Sequence, residues 1–371
     1  MKKIVINNDF RKIVSYGGTY FATVVGAGFA SGQEVMQFYA NYGLISLVAI
    51  IPAAFLFFWA GSRFMELGQA LHTDTHKPAM EYLCGKYVGK AFDGILLFFM
   101  FGIYVVMISG GGTTMSQYMG VNVYLGRVIM VTACVFSISF GFRQTLRIGE
   151  ICAPLMIIST IVIGLIAGIS HIGELAGVEE SLRSAPPATS VPNIWLSILV
   201  YVSYCVTPST PVLLAIGNNE KNRVLRTRGA LFGAAALGIC LMCIDVALLG
   251  NFAHIGGSEI PLVELASGIW GPVGRMYTVI LLMSLFTTAV AVEYGVVSRF
   301  AECGTKKGMV LSSLVGVAAF ALGMVPFSKL IGTLYPIIGY IGFVVMGAAL
   351  YKQFMERYRK KVGISAQTTR N

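Results

Sequence analysis

Long apolar runs alternate with short polar or charged stretches along the whole chain. The segments 43–62, 94–126, 151–170, 184–219, 308–328 and 330–351 contain no Asp, Glu, Lys or Arg. Each is long enough for at least one membrane crossing, which takes about 20 apolar residues. Read span by span, the pattern predicts an all-α integral membrane protein with ten transmembrane helices at 13–39, 43–70, 91–118, 122–141, 147–170, 193–217, 227–250, 273–298, 308–326 and 329–352.

The charges agree with that division. With the N-terminus placed in the cytoplasm, 23 of the 27 Lys and Arg fall on the cytoplasmic side, and only Arg127, Arg183, Arg275 and Lys329 fall outside. A bias of this size follows the positive-inside rule and puts both termini inside, as expected for a multi-pass protein of a bacterial cytoplasmic membrane. It also accounts for the net charge of +10 without a nucleic-acid partner. The start, MKKIVINNDFRK, has no apolar stretch leading to a small-residue cleavage site, so the first span is expected to be retained.

Composition narrows the class further. Of 371 residues 56% are hydrophobic and 12% charged, and the mean hydropathy is +0.75, which excludes soluble enzyme folds. Cys84, Cys134, Cys152, Cys205, Cys240, Cys243 and Cys303 are scattered, mostly inside the predicted spans. They form neither a disulfide framework nor a metal-ligand spacing, and Cys240 and Cys243 lack a second ligand pair. His72, His76, His171 and His254 fall in loops, so no imidazole is at hand to activate Ser31. No nucleotide loop or cofactor motif occurs, and the chain is not expected to be an enzyme.

Ten spans divide into two sets of five: a cytoplasmic N-terminus 1–12, a first repeat 13–170, an extracellular loop 171–192, a second repeat 193–352 and a basic cytoplasmic tail 353–371. The first span of each set carries helix-breaking residues: Gly26-Ala27-Gly28 with Ser31-Gly32 in span one, and Thr207-Pro208-Ser209-Thr210-Pro211 in span six. Five spans per set give the sets opposite orientations, the arrangement of an inverted repeat, and matching interruptions mark a binding site near mid-membrane. Glycine lets backbone and ligand approach closely. Proline removes a backbone donor and frees carbonyls near Ser203–Val206. Two discontinuous helices, one and six, are therefore expected to offer unpaired main-chain ends to a small charged solute. Tight packing at the glycines and a simple kink at the prolines are the alternatives.

Three carboxylates lie within spans, Glu34, Asp245 and Glu293, with Glu150 at a span edge. Ionisable groups at that depth tend to face the protein interior and mark a pathway. Glu34, shortly after the first break, is the best placed to meet a substrate amine, carry a proton or brace nearby backbone. The loops 171–192 and 251–272 are long enough to carry short helices over the external entrance.

VVGAGFASGQE in span one, YCVTPSTPVLLAIG in span six and LFTTAVAVEYG in span eight resemble the amino-acid permease family of bacterial membrane proteins, within the amino acid–polyamine–organocation superfamily. The resemblance implies the five-plus-five inverted repeat of the sodium-coupled leucine transporter. It implies substrate contacts at Gly26, Ala27, Gly28, Phe29, Ser31, Gly32 and Glu34, and at Tyr204, Thr207 and Ser209, with Tyr201 and Tyr204 covering the substrate. It also implies a Na⁺ site formed by the carbonyls of Ala22, Val25 and Ser284 and the hydroxyls of Thr287 and Thr288; otherwise those hydroxyls bond within their own helix. The expected activity is secondary active transport, as a cation-coupled symporter, of a small amino acid or related amine. Na⁺ or H⁺ would be the coupling ion, and spans one, two, six and seven would rock as a bundle. The alternative is an amino-acid-sensing receptor or channel-like subunit, since spore-germination permeases share this superfamily fold. The oligomeric state is left open.

Overall fold

The computed structural model describes residues 2–361 apart from 185, 186 and 188. The side chains of Lys90, Arg143, Arg147 and Glu150, and the tail beyond 361, lie outside the described residues. The described chain is helical throughout. In order the helices are α1 (Lys2–Val24), α2 (Ala27–Ser31), α3 (Gln33–Phe38), α4 (Ile45–Leu71), α5 (His76–Cys84), α6 (Lys86–Met119), α7 (Val123–Phe136), α8 (Phe142–Ser170), α9 (Val178–Ser184), α10 (Ile194–Asn219), α11 (Arg223–Gly250), α12 (Phe252–Ile255), α13 (Pro261–Ile269), α14 (Gly271–Val297), α15 (Lys306–Leu322) and α16 (Phe327–Lys361).

Seven of these are long and apolar enough to cross a membrane: α4, α6, α8 from Ile151 onward, α10, α11, α14, and α16 as far as Glu356. The other predicted spans fall on the interrupted set α1–α3, on α7 and on α15. Their starts are set by local chemistry. Asn122, Asn193, Asn222 and Thr305 each accept a bond from a first-turn amide of α7, α10, α11 and α15, satisfying donors with no partner inside the helix.

Two expectations need correction. Span six is not interrupted: α10 runs unbroken through Pro208 and Pro211. A proline costs a helix one amide bond, here those to the carbonyls of Tyr204 and Thr207. Around that gap Thr207 donates its hydroxyl to Ser203 O at 2.7 Å, Ser209 to Cys205 O at 2.8 Å and Thr210 to Val206 O at 3.1 Å. None of these acceptors is one of the two carbonyls the prolines leave open, and the helix stays continuous across both. The connection expected between spans four and five is also helical, since a π turn at Ser137–Gly141 leads straight into α8. Beyond the predicted end of span ten, α16 continues to Lys361. The outer loops do carry short helices, α9, α12 and α13.

Two groups of helices are apparent. In the first, α1, α4, α10 and α11 pack on one another, with glycines where the axes come closest. A Cβ on Gly217 would lie 1.8 Å from Met65 O, and one on Gly68 2.1 Å from Leu214 O, so α4 and α10 touch backbone to backbone. Gly17 and Gly233 play that part between α1 and α11. With no hydrophobic drive between helices in lipid, such close contact is what holds them together. The second group joins α6, α7, α8, α14 and α15, and α16 packs on α10 and α6. The α1–α3 interruption lies between the groups.

Candidate functional site

Span one breaks twice, and both breaks come from glycine. Gly26 is extended (φ −105°, ψ −174°) and ends the run from α1, while Gly32 adopts a left-handed conformation (φ +82°) that separates α2 from α3. An L side chain would be strained at Gly32, and a Cβ there would also stand 2.9 Å from Leu262 Cγ. Ser31 stitches the second break, donating to Gly28 O at 2.6 Å and accepting from Gln33 N at 3.1 Å.

The backbone groups are only partly free. Ala30 N donates to Gly26 O at 3.1 Å and Gly32 N to Phe29 O at 3.0 Å, so two amides expected to face a substrate are committed inside the break. The first-turn amides of Ala27, Gly28 and Phe29 precede the first intrahelical bond. The Ala30 carbonyl is taken as well: Tyr277 of α14 donates to it. Since Tyr277 has one hydroxyl proton, Thr160 must donate to Tyr277 across their 2.7 Å contact.

Glu34 is 3% exposed and its carboxylate folds back over Gly28. A Cβ at Gly28 would sit 2.0 Å from Glu34 Oε1 and 3.2 Å from Tyr335 Oη, so the missing side chain is what gives Glu34 its seat. Tyr204 donates to Glu34 Oε1 at 3.3 Å, and its ring stacks on Tyr335 with centroids 4.3 Å apart and planes 20° from parallel. Tyr201 lies behind, with ring centroids 5.2 Å from Phe38, 5.2 Å from Tyr39 and 6.2 Å from Tyr204. Among the described residues Glu34 has no ion-pair partner. A buried carboxylate without a counter-charge either carries a proton or awaits a cation.

The remaining candidates divide. Ser209 reaches span one, at 3.4 Å from Thr23 O, which puts α10 against the end of α1. Thr207 points elsewhere, its hydroxyl against Gly342 of α16. Thr287 donates to Ser284 O of its own helix at 3.2 Å and its side chain rests near Gly149 of α8. Thr288 is half-buried, while Ala22 is exposed and Val25 buried. Asp245 accepts from Ser46 and Glu293 from Ser312 at 2.7 Å, each bond joining two helices.

Tyr335 and Tyr277 were not foreseen. Each comes from a distant span and reads as an ordinary aromatic in an apolar run. Only Pro336, directly after Tyr335, hinted at an irregularity there.

The break is covered on one side only. Leu262 of α13 rests on Gly32, Ser197 donates to Phe38 O at 2.8 Å, Ser190 to Gln37 Oε1 at 2.8 Å, and Tyr42 to Val191 O. On the other side Ser15, Thr19 and Ala22 form an exposed face of α1, with Pro208 exposed on α10. Gly18 and Gly26 there have open space within 4 Å of where a Cβ would be. Elsewhere outward-facing positions carry large apolar groups such as Ile51 and Phe55, so this small, polar face fits water better than lipid.

No protein-family model matches the chain. It is similar to the uncharacterized membrane protein YkvI of Bacillus subtilis (strain 168), with 23% identity over 341 residues, covering 91% of this chain and 95% of that protein. Among solved structures it resembles MhsT in complex with L-phenylalanine (TM-score 0.55, 15% identity, 90% of this chain and 85% of that one). It also resembles the inward-facing conformation of Mhp1 (TM-score 0.54, 18% identity, 94% and 77%). The chain is thus an all-helical, multi-span membrane protein with the leucine-transporter fold shared by these neighbours.

Proposed function

We propose that this protein is a secondary transporter that carries a small amino acid or related amine by alternating access, coupled to a cation gradient. One observation carries the reading: the Glu34 carboxylate, with no ion-pair partner among the described residues, is buried beside a doubly interrupted helix and under two stacked tyrosines. A substrate ammonium supplies the missing positive charge, and aromatic faces add cation–π attraction. The substrate carboxylate is then assigned to the first-turn amides of Ala27, Gly28 and Phe29, and the ammonium also to the carbonyls of Tyr204 and Thr207 left open by the two prolines. That MhsT was crystallised with L-phenylalanine supports an amino acid as the first class to test.

In this account the ten helical segments are ten spans in a five-plus-five inverted repeat, with both termini in the cytoplasm of a bacterial cell. The covered side of the break is then external and the open Ser15–Ala22 face internal. The cation is assigned to the seam of α1 and α14, with Na⁺ as first candidate. Ala22 is exposed and Thr287 bonds its own helix, which suits a site emptied in an inward-open state and rebuilt when α1 closes on α14.

Thermal unfolding of the purified protein against a panel of amino acids and amines, with and without Na⁺, tests the reading, because a ligand bound only by the folded state raises the midpoint by mass action. A shift for one substrate class, abolished by Glu34→Gln, is expected. The same shift in Glu34→Gln would remove the carboxylate from the substrate site.

A further inference from the structure

Away from the interruption, the seam between α4 and α11 holds two cavities that meet at Phe58. The larger, about 570 Å³, is an apolar trench. Small residues form its floor: a Cβ on Gly238 would lie 2.9 Å from Ala54 Cβ. Large side chains form its walls, with Ile51 54%, Phe55 68%, Leu231 52% and Ile239 65% exposed. From Leu231 to Cys243 the trench spans about 18 Å at the helical rise, close to the depth of one leaflet of a ~30 Å hydrocarbon layer.

The smaller cavity, about 230 Å³, closes one end of the trench, where α4 finishes and α11 begins. Three guanidinium groups line it, Arg63, Arg223 and Arg226, against one carboxylate, Glu66. Arg63 is 3% exposed and already holds Glu66 at 3.2 Å and Glu356 at 2.9 Å, yet its Nε is buried with no partner among the described residues. Arg226 is anchored by donating to Glu220 O at 2.6 Å. Arg223 is exposed at the mouth. Charge and shape therefore change together along one seam, from a cationic head cavity to an apolar tail trench.

We propose that this seam is a binding site for one anionic phospholipid, its phosphate held by Arg223, Arg226 and the inner face of Arg63, and one acyl chain laid along the Ala54–Gly238 floor. Charge complementarity selects the occupant. A zwitterionic lipid would fill the trench and offer a phosphate, but its choline cation would be set beside Arg223 and Arg226, and a free phosphate would use the cavity but not the trench. Basic cavities between transmembrane helices bind anionic head groups for this reason, each Arg contributing about fivefold in affinity. Since α4 and α11 both belong to the helix group that includes α1, such a lipid would sit on that group and not on the α6–α8–α14 group.

The test is native mass spectrometry of the delipidated full chain titrated with phosphatidylglycerol, with phosphatidylcholine of the same acyl chains, and with soluble glycerol phosphate. Preferential retention of phosphatidylglycerol is expected, by at least about fivefold. That preference should fall about fivefold in Arg223→Gln, whose exposed side chain leaves the fold intact, and retention of both lipids should fall in Ala235→Trp, which fills the trench. Equal retention of the two lipids would overturn the proposal. So would glycerol phosphate binding as tightly as the lipid, a preference untouched by both substitutions, or a dimer that Ala235→Trp dissociates, since a second copy would then be the occupant.

Discussion

Gly28→Ala probes the seat of Glu34 most directly. The new methyl would stand 2.0 Å from Glu34 Oε1 and 3.0 Å from its carboxyl carbon, so the oxygen must retreat by more than about 1 Å to reach an ordinary van der Waals separation. The bond from Tyr204, already 3.3 Å long, would not survive that move. Overpacking costs about 1–3 kcal/mol, and losing a hydrogen bond to a charged group about 1.5–3 kcal/mol, so a loss of roughly 2–4 kcal/mol is expected once partial relaxation is allowed. The same methyl should cost little in a Glu34→Ala background, because the obstructing carboxylate is gone. Unfolding free energies of the wild type, both single variants and the double variant close a cycle, and a coupling above about 1 kcal/mol is expected. Additivity within about 0.5 kcal/mol would mean that Glu34 does not rest on Gly28, and the site geometry built on that contact would fall with it.

Other consequences follow from single contacts. Gly217→Ala drives a methyl into Met65 O at 1.8 Å, where only backbone can yield; it should destabilise by more than about 2 kcal/mol, and an unchanged denaturant midpoint would refute the close α4–α10 crossing. Tyr277→Phe removes the donor to Ala30 O and should cost about 1–3 kcal/mol while lowering ligand affinity, since the break loses its tie to α14; unchanged stability and affinity would contradict that role. At the start of α11, burial pushes the Glu220 carboxyl up, but bonds from Asn222 N at 2.9 Å, Lys12 at 3.0 Å and Tyr16 at 2.9 Å outweigh it and hold the group below its ordinary 4.5. A depressed carboxylate stabilises the fold above its ordinary value and loses that contribution as pH falls through its folded value. The difference in unfolding midpoint between wild type and Glu220→Gln should therefore be flat from pH 7 to 5 and shrink below about 4.5; a constant difference down to pH 3 would refute it.

What could be read from the sequence was chiefly backbone chemistry with one solution. Gly26 and Gly32 pointed to the interruption because they cluster with Gly28 and Ser31 in one apolar span, although tight packing was open to them too, and Glu34 beside them stood out by its charge. Pro208 and Pro211 were misread for a physical reason: a proline withdraws one amide, and whether the helix opens or merely loses that bond depends on its surroundings. Here α10 stays wound through both prolines, its polar side chains turned back on carbonyls of their own helix and its other face packed on α4 and α16. The partners of Glu34 were legible only in part. Tyr204 is near the prolines in sequence, but Tyr335 reaches the site only through packing of α16 on α10, which no local pattern encodes. The helical passage at 142–146 was hidden because Arg143, Gln144 and Thr145 match the polar character of a connecting loop.

The central claim is that Glu34 and the interrupted helix beside it bind a small cationic or zwitterionic solute on its way across the membrane. Uptake of a radiolabelled solute identified by thermal shift, measured in proteoliposomes with and without an imposed Na⁺ or proton gradient, tests it most directly. The account predicts accumulation that requires one of the gradients and disappears in Glu34→Gln, whereas saturable binding with no accumulation under either gradient would contradict it and mark the protein as a receptor.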